Sequence, residues 1–243
     1  MKVIGDIKRI LILAVGFGAA LWVMGVLLGI NQMAYAQYYN QDPYLQLQPT
    51  EGNTQIRFPY EITGTGLIAE ALVYYDGPFL ENHSEEELFN SVALLLRNTS
   101  EHGITQAEIL ITGNEIWFFQ AKHIPPKGTV LVVESSGAKF NDTSITACTG
   151  WEKAEAGLWN VERFLHIDSV DMGTVAVTNI TDTELSNIRL LYKNWLPQND
   201  VFVGGITYEI QIDRLAAGQT VLLQPEHYAQ GYNKFIRIYA DEI

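Results

Sequence analysis

Apolar and polar residues alternate over much of the chain beyond residue 66, and this alternation predicts β-strands. In the stretch "ITQAEILIT" the apolar side chains Ala107, Ile109 and Ile111 occupy every second position. That spacing places them on one face of a strand, as in a half-buried sheet. Clusters of Asn, Gly, Pro and Asp, which favour turns, separate such runs. The pattern predicts an all-β fold in which strands follow one another along the chain.

One 18-residue pattern occurs twice, 81 residues apart, as "LLLRNTSEHGITQAEILI" (Leu94–Ile111) and "VAVTNITDTELSNIRLLY" (Val175–Tyr192). Each copy is an apolar run that ends in Asn, a polar turn and a second strand. The correspondence continues from Ile116–Glu134 to Thr207–Pro225, where the tripeptide Thr-Val-Leu recurs at a spacing of 91 residues. Solenoid units are shorter, at about 20–50 residues. Repeats of this length suit whole domains.

The repeat predicts a division of the chain. We expect one domain over residues 67–152 and a second over residues 153–243. Residues 31–66 are rich in Gln, Asn and Tyr, which predicts a stalk or linker. The second copy contains ten additional residues within "KNWLPQNDVFVGG", Lys193–Gly205.

The connection before the Thr-Val-Leu strand carries a resemblance to a known class of module. An aliphatic residue, a small or Pro pair, Gly, Thr and a Val-Leu strand follow one another in Ile124–Leu131 and in Leu215–Leu222. This order resembles bacterial surface immunoglobulin-like and fibronectin-III-like modules, over most of residues 67–243. The resemblance implies two tandem immunoglobulin-like β-sandwiches. By analogy with such modules, it implies binding, scaffolding or spacing in the cell envelope, without catalysis or a cofactor.

The N-terminal residues 1–30 predict a membrane anchor. Ile10–Ile30 contains no charged residue and follows a segment with three basic side chains. As a helix it would be about 31 Å long, which matches a bilayer core. The basic flank predicts a cytoplasmic N-terminus and extracellular C-terminal domains. The alternative is a signal peptide cleaved after Ala36, because Ala34-Tyr35-Ala36 forms an A-x-A site; the protein would then be secreted.

The net charge and the cysteine content limit the expected partners and the cellular location. The formal net charge is −13, so nucleic acid is not expected as a partner, because phosphate binding requires a basic surface. Cys148 is the single cysteine and cannot form an internal disulfide. Export without disulfides is common in Gram-positive bacteria, and we interpret the chain as bacterial.

A cysteine enzyme is the alternative function. The stretch "TSITACTGW" and the N-terminal apolar run resemble sortases, in which a cysteine acts with a histidine and an arginine. Cys148 would be the nucleophile, with His102 or His123 and with Arg163. The chain has Ala147 where that family has Thr, and the Arg expected on the following strand is missing. The structural interpretation of Cys148 is a small buried residue at a strand end. A spacer with no ligand is a third hypothesis.

Two segments break the repeat and are therefore candidates for function, since loops of β proteins carry function more often than strands. One is the acidic segment Asp76–Asn90. The other is the ten-residue expansion, which predicts a candidate binding loop for a protein or glycan, because aromatic residues beside amides are typical of interaction surfaces. The alternative is that its aromatic residues extend a hairpin or cover a sheet edge. The candidate residues are Trp195, Leu196, Gln198, Asn199 and Phe202. The dispersed histidines and acidic residues predict no metal site.

Overall fold

The computed structural model describes residues 56–82, 86–140, 144–155 and 163–240. Within these ranges the chain forms β-strands and a short 3-10 turn at Leu80–Asn82, with no α-helix. The predicted all-β class is therefore confirmed. The strands are β1 (Tyr60–Glu61), β2 (Leu67–Pro78), β3 (Glu87–Asn98), β4 (Ile104–Thr112), β5 (Ile116–Ile124), β6 (Thr129–Val133), β7 (Ala147–Ala154), β8 (Leu165–Ser169), β9 (Val175–Asn179), β10 (Leu185–Leu196), β11 (Val201–Leu215), β12 (Thr220–Leu223) and β13 (Asn233–Tyr239).

Strands β2 to β7, here called the first half, enclose one hydrophobic core between two groups of strands. One group has the order β2-β3-β6 and the other β5-β4-β7. The alternation predicted for β4 is present, because Ala107, Ile109 and Ile111 are buried while Leu110 between them is exposed. Burial of a large apolar side chain contributes about 1.5–3 kcal/mol. The largest side chains of this core include Leu94, Leu96, Trp117, Phe119 and Ile124.

Strands β8 to β13, the second half, repeat the strand order of the first. β8-β9-β12 corresponds to β2-β3-β6, and β11-β10-β13 corresponds to β5-β4-β7. A second cluster of buried side chains lies between these groups, formed mainly by Leu165, Val177, Leu185, Ile188, Leu190 and Leu215. The order of strands along the sheets is therefore the same in both halves.

The asparagine at the fifth position of the doubled stretch makes corresponding hydrogen bonds in both halves, with one additional carbonyl partner in the second half. Asn98 is fully buried; its Nδ2 donates to the carbonyls of His102 (2.8 Å) and Pro125 (3.0 Å), and its Oδ1 accepts from Ser100 N (2.9 Å). Asn179 is also fully buried. A buried amide of this kind needs all its partners, because each unsatisfied polar group costs free energy.

In the second half the corresponding partners are shifted by 81 or 91 residues. Asn179 Nδ2 donates to the carbonyls of Thr183 (2.8 Å), Leu215 (2.9 Å) and Ala216 (3.1 Å). Its Oδ1 accepts from Thr181 N (2.9 Å). The Asn in the doubled stretch is thus a structural residue that fixes the end of one strand to two turns.

The two halves share one seven-stranded sheet, with the order β1-β2-β3-β6-β11-β10-β13. The joint is a parallel pairing of β11 with β6, in which Val201, Phe202 and Val203 lie opposite Thr129, Val130 and Leu131. The other pairings of this sheet are antiparallel. Residues of the second half also enter the core of the first, namely Leu191, Phe202 and Ile236.

The predicted domain boundary at residue 152 stays a prediction, because residues 156–162 lie outside the described ranges. Part of the segment predicted as linker is packed: Ile56 and Ile62 are buried in the core of the first half, and β1 pairs with β2.

The predicted anchor Ile10–Ile30, the cleavage site after Ala36 and residues 31–55 all lie outside the described residues. Within the described ranges, no helix has the length and apolar composition needed to cross a membrane.

Replacing Asn179 by Ala tests the structural role of the doubled asparagine. The change removes the donor for three carbonyls, and each buried group left unsatisfied costs about 1–3 kcal/mol. We expect a fall of several degrees in melting temperature, measured by circular dichroism. Asn114→Ala is the control, because Asn114 is exposed in the bend between β4 and β5. Equal melting temperatures for the two variants would contradict this role.

Candidate functional site

The ten-residue expansion forms the far end of the β10–β11 hairpin. Trp195 pairs with Phe202, Leu196 pairs with Val201, and the exposed segment 197–200 makes the turn between them. The turn is closed by a hydrogen bond from Asn199 N to Leu196 O (3.2 Å). This is the arrangement that the alternative interpretation of the expansion predicted, an extended hairpin.

The five candidate residues divide into two groups by exposure. Leu196 and Phe202 are buried, at 6% and 5% exposure, and Phe202 belongs to the core of the first half. Trp195 is half-buried against that core. Gln198 and Asn199 are exposed in the turn. The structure therefore places three candidates in packing positions and two at the tip of the hairpin, where their side chains are exposed to solvent.

Trp195 is held on its outer side by charged groups. Its indole N–H donates to Asp200 Oδ1 (3.0 Å), and Lys234 Nζ lies 4.8 Å from the centre of its ring. Lys234 also lies 3.6 Å from Asp200. A cation over an aromatic ring at an exposed site contributes about 0.5–1 kcal/mol, so these contacts add to the stability of the hairpin end.

At the root of the hairpin lies a fully buried lysine, Lys193. Its Nζ donates to the carbonyls of Lys122 (3.0 Å) and Ile206 and to Thr207 Oγ1 (3.2 Å). Lys122 belongs to the first half, so this side chain connects the two halves. Burial lowers the pKa of Lys193 to about 7, because a low-dielectric environment disfavours the ammonium form.

A buried carboxylate, Glu81, lies beside the same joint. Its Oε1 accepts from Gly205 N (2.8 Å) in β11 and from Val133 N (2.9 Å) at the end of β6. Burial raises the pKa of Glu81, while these backbone N–H groups and the charge of Lys193 act in the opposite direction. Oε2 has no hydrogen-bond partner among the described residues. Glu81 thus joins the two strands that carry the contact between the halves.

The hairpin approaches the first half closely because it contains Gly204-Gly205. A Cβ at Gly205 would lie 1.9 Å from the carbonyl oxygen of Gln120, far inside any tolerated contact. Gly204 has φ +84° and packs against Leu80. Leu80 and Glu81 come from the acidic segment Asp76–Asn90, so the two segments that break the repeat meet each other at this joint.

An ion pair also connects the halves. Arg237 Nη1 lies 3.0 Å from Glu155 Oε1, and both side chains are largely buried. Thr105 Oγ1 donates to Glu155 Oε2 (2.8 Å). Near the joint, burial and the charge of Lys193 lower the pKa of His123 to about 4, so its imidazole is neutral at pH 7.

Cys148, the candidate nucleophile, lies in β7 with its side chain in the core of the first half, at 4% exposure. Burial raises its thiol pKa to about 11, and no histidine or arginine contributes to that shift. The charges that shift the pKa of His123 belong instead to Lys193, Glu155, Lys122 and Arg237. Among the described residues, no group of three His, Cys, Asp or Glu side chains is arranged to hold a metal ion.

Comparison of the chain with protein-family models, with curated proteins and with solved structures finds no match. What the chain does must therefore be inferred from its own residues and contacts. Lys193 and Glu81 are the site residues that the pattern of the sequence did not single out. The burial of Lys193 could have been suspected from its position as the single charged residue in the run "LLYKNW". Glu81 resembles any other acidic loop residue, so its pattern gave no such indication.

The buried lysine predicts a particular dependence of stability on pH. Its pKa is about 7 in the folded chain and returns to about 10.5 on unfolding. Between these values the unfolded chain binds the proton more strongly, so the free energy of unfolding rises with pH through this window. We expect this rise in urea titrations of the native chain and its loss in Lys193→Met.

Lys153→Met is the matched control for that experiment, because Lys153 is exposed in β7. This variant should retain the slope of the native chain, since its ammonium group is solvated in both states. The same slope in Lys193→Met as in the native chain would contradict a buried lysine of lowered pKa. Comparing the variants cancels the contributions of Tyr192 and Tyr239, because Lys193 is not among the groups that shift the pKa of these tyrosines.

The packing of the hairpin predicts different effects for its two groups of residues. Trp195→Ala removes contacts with the core of the first half and the hydrogen bond to Asp200. Truncation of a fully buried Trp costs about 3–5 kcal/mol, and a half-buried ring should cost less. We expect a lower melting temperature for Trp195→Ala and an unchanged one for Gln198→Ala, by differential scanning calorimetry. An unchanged Trp195→Ala melting temperature would show that the ring is not part of the packing.

Proposed function

We propose that this chain is a non-catalytic bacterial cell-envelope protein that binds or scaffolds partners through two tandem immunoglobulin-like β-sandwiches. In this proposal Ile10–Ile30 anchors it in the membrane as one helix, and the two sandwiches face outward. The support for the anchor is the uncharged run and its basic flank. Cleavage after Ala36 is the alternative, and it would give the same modules in secreted form.

The immunoglobulin-like part of the proposal is supported by the distribution of strands. The first, second and fifth strands of each half are neighbours in one group, as β2-β3-β6 and as β8-β9-β12. The third and sixth strands pair with each other in the other group, as β4-β7 and as β10-β13. Immunoglobulin-like sandwiches separate strands A, B and E from strands C and F in the same manner. The recurrence of the asparagine hydrogen bonds around Asn98 and Asn179 supports an origin by internal duplication.

The observation that carries the scaffolding role is the parallel addition of Val201–Val203 to β6. Main-chain pairing, the buried Lys193 and the carboxylate of Glu81 hold the second half in a fixed arrangement with the first. A flexible tether would need none of these groups. Two modules in fixed orientation present their loops as one surface, which is what a scaffold or receptor requires.

The tip of the β10–β11 hairpin is the proposed contact for a protein or glycan partner. Gln198 and Asn199 supply accessible amides, and Trp195 and Asp200 hold the turn beneath them. Amides beside an aromatic ring suit both peptide and sugar hydroxyl groups. The net negative charge of the chain disfavours nucleic acid.

The cysteine-enzyme alternative has less support than the binding role. A catalytic cysteine acts as an accessible thiolate, whereas Cys148 is buried among apolar side chains and its thiol pKa is raised. A spacer without a ligand remains the third hypothesis, because rigid joining of the halves would serve that role too. The exposed amides at the hairpin tip favour binding over a pure spacer.

Fractionation of cells tests the envelope location. We expect the full chain to stay with membranes through a high-pH carbonate wash, and external protease to digest residues 56–243 in spheroplasts. A variant without residues 10–30 should become soluble. A full-length chain that is soluble inside the cell and protected from external protease would contradict the proposal.

A photo-cross-linking residue at position 198 tests the proposed contact in the same cells. The hairpin tip should give a cross-linked product, while position 213, which is exposed in β11 away from the tip, should not. Equal products from both positions would show that the tip makes no specific contact, and the spacer hypothesis would then be preferred.

A further inference from the structure

The outer edge of β6 in the first half is covered by a strand from elsewhere in the chain. Thr129, Val130 and Leu131 pair on one side with β3 and on the other with β11. Leu131, which lies opposite Val203, is fully buried, at 0% exposure. Both edges of β6, which contains the tripeptide Thr-Val-Leu, are therefore paired with other strands.

The same tripeptide recurs at the corresponding place in the second half, as Thr220-Val221-Leu222 in β12. β12 pairs with β9 along one side, and among the described residues no strand pairs with its other side, because β12 is the outermost strand of its sheet. Leu222 is 64% exposed. An aliphatic side chain that is covered in one half is thus uncovered in the other.

The backbone that leads into the two tripeptides has the same geometry. Gly128 O accepts from Asn98 N (2.9 Å), and Gln219 O accepts from Asn179 N (2.9 Å). One residue earlier, Lys127 has φ +57° and Gly218 has φ +67°. β12 is therefore presented in the same way as β6, and an unpaired edge of this kind is a template for another strand.

We propose that the free edge of β12 accepts an extended strand donated in parallel by a partner protein. The inference rests on the proposed binding role and adds a site to it. Main-chain hydrogen bonds supply affinity in such strand addition, and side-chain pockets supply selectivity. The donated strand carries an aliphatic-aromatic-aliphatic sequence like Val201-Phe202-Val203, and its last aliphatic residue lies opposite Leu222 as Val203 lies opposite Leu131.

The chain itself does not provide this strand from its two corresponding hairpins. The β10–β11 hairpin is already paired with β6, and the β4–β5 connection, Gly113–Glu115, is too short to extend beyond its sheet. Neither hairpin of the described residues therefore supplies the strand, and the proposal assigns it to another protein. Basic residues beside the apolar sequence would favour association, because the chain carries a net charge of −13.

The test uses the full chain in detergent and a fluorescent peptide that copies residues 200–205 (Asp-Val-Phe-Val-Gly-Gly) with added lysines at both ends. We expect saturable binding by fluorescence anisotropy and at least a tenfold loss of affinity in Leu222→Asp. A peptide N-methylated at Phe and at the second Val should also bind more weakly, because it lacks main-chain donors. Ile180→Asp, at another exposed aliphatic position, should bind like the native chain.

Three results would overturn the proposal. The first is absence of saturable binding at peptide concentrations up to about 1 mM. The second is binding that persists in Leu222→Asp, which would place the peptide elsewhere, such as at β6 in exchange for the native hairpin. The third is dimerisation in sedimentation experiments that Leu222→Asp abolishes, which would show that a second copy covers this edge. None of these results affects fractionation or cross-linking at position 198, so failure of this site is distinguishable from failure of the proposed function.

Discussion

The pairing of Val201–Val203 with β6 is the contact on which the arrangement of the two halves depends. It needs a hairpin long enough to reach past its own sheet, and glycine where β11 crosses β5. It also places two ionisable groups, Lys193 and Glu81, where water cannot solvate them. Burial disfavours the charged form of both groups, and this cost is partly offset by the carbonyl oxygens around Lys193 Nζ and by the backbone N–H groups at Glu81 Oε1. These contacts fix the second half against the first in the observed register.

The contact between the halves explains where the two halves differ in sequence. Residues that recur, such as Asn98 and Asn179 or the Thr-Val-Leu tripeptides, maintain strands and turns. Segments without a counterpart, Asp76–Asn90 and Lys193–Gly205, meet at the joint. The segments that differ between the copies therefore hold the copies together, and their exposed tip at Gln198 and Asn199 takes no part in this joint.

Much of the fold could be predicted because alternation and turn residues are local signals. β4 follows the alternation of "ITQAEILIT", and the doubled stretch predicted corresponding strands in both halves. The shared sheet could not be predicted, since pairing between Val201–Val203 and Thr129–Leu131 depends on contacts distant in sequence. For the same reason Phe202 looked like a loop residue, although it is a core residue of the other half. The burial of Glu81 could not be predicted from the sequence, because tertiary packing decides which of the acidic residues in Asp76–Asn90 is buried.

Hydrogen exchange on the native chain, read by mass spectrometry, tests the joint most directly. We predict slow exchange for the amides of Val201–Gly205, comparable to that of β6, because both segments lie within one sheet. Gly205→Ala should accelerate exchange in these two segments while β4 stays protected, since the added Cβ meets the backbone at Gln120. Rapid exchange at Val201–Gly205 in the native chain, with β6 still protected, would show that the hairpin does not join the halves and would contradict this account.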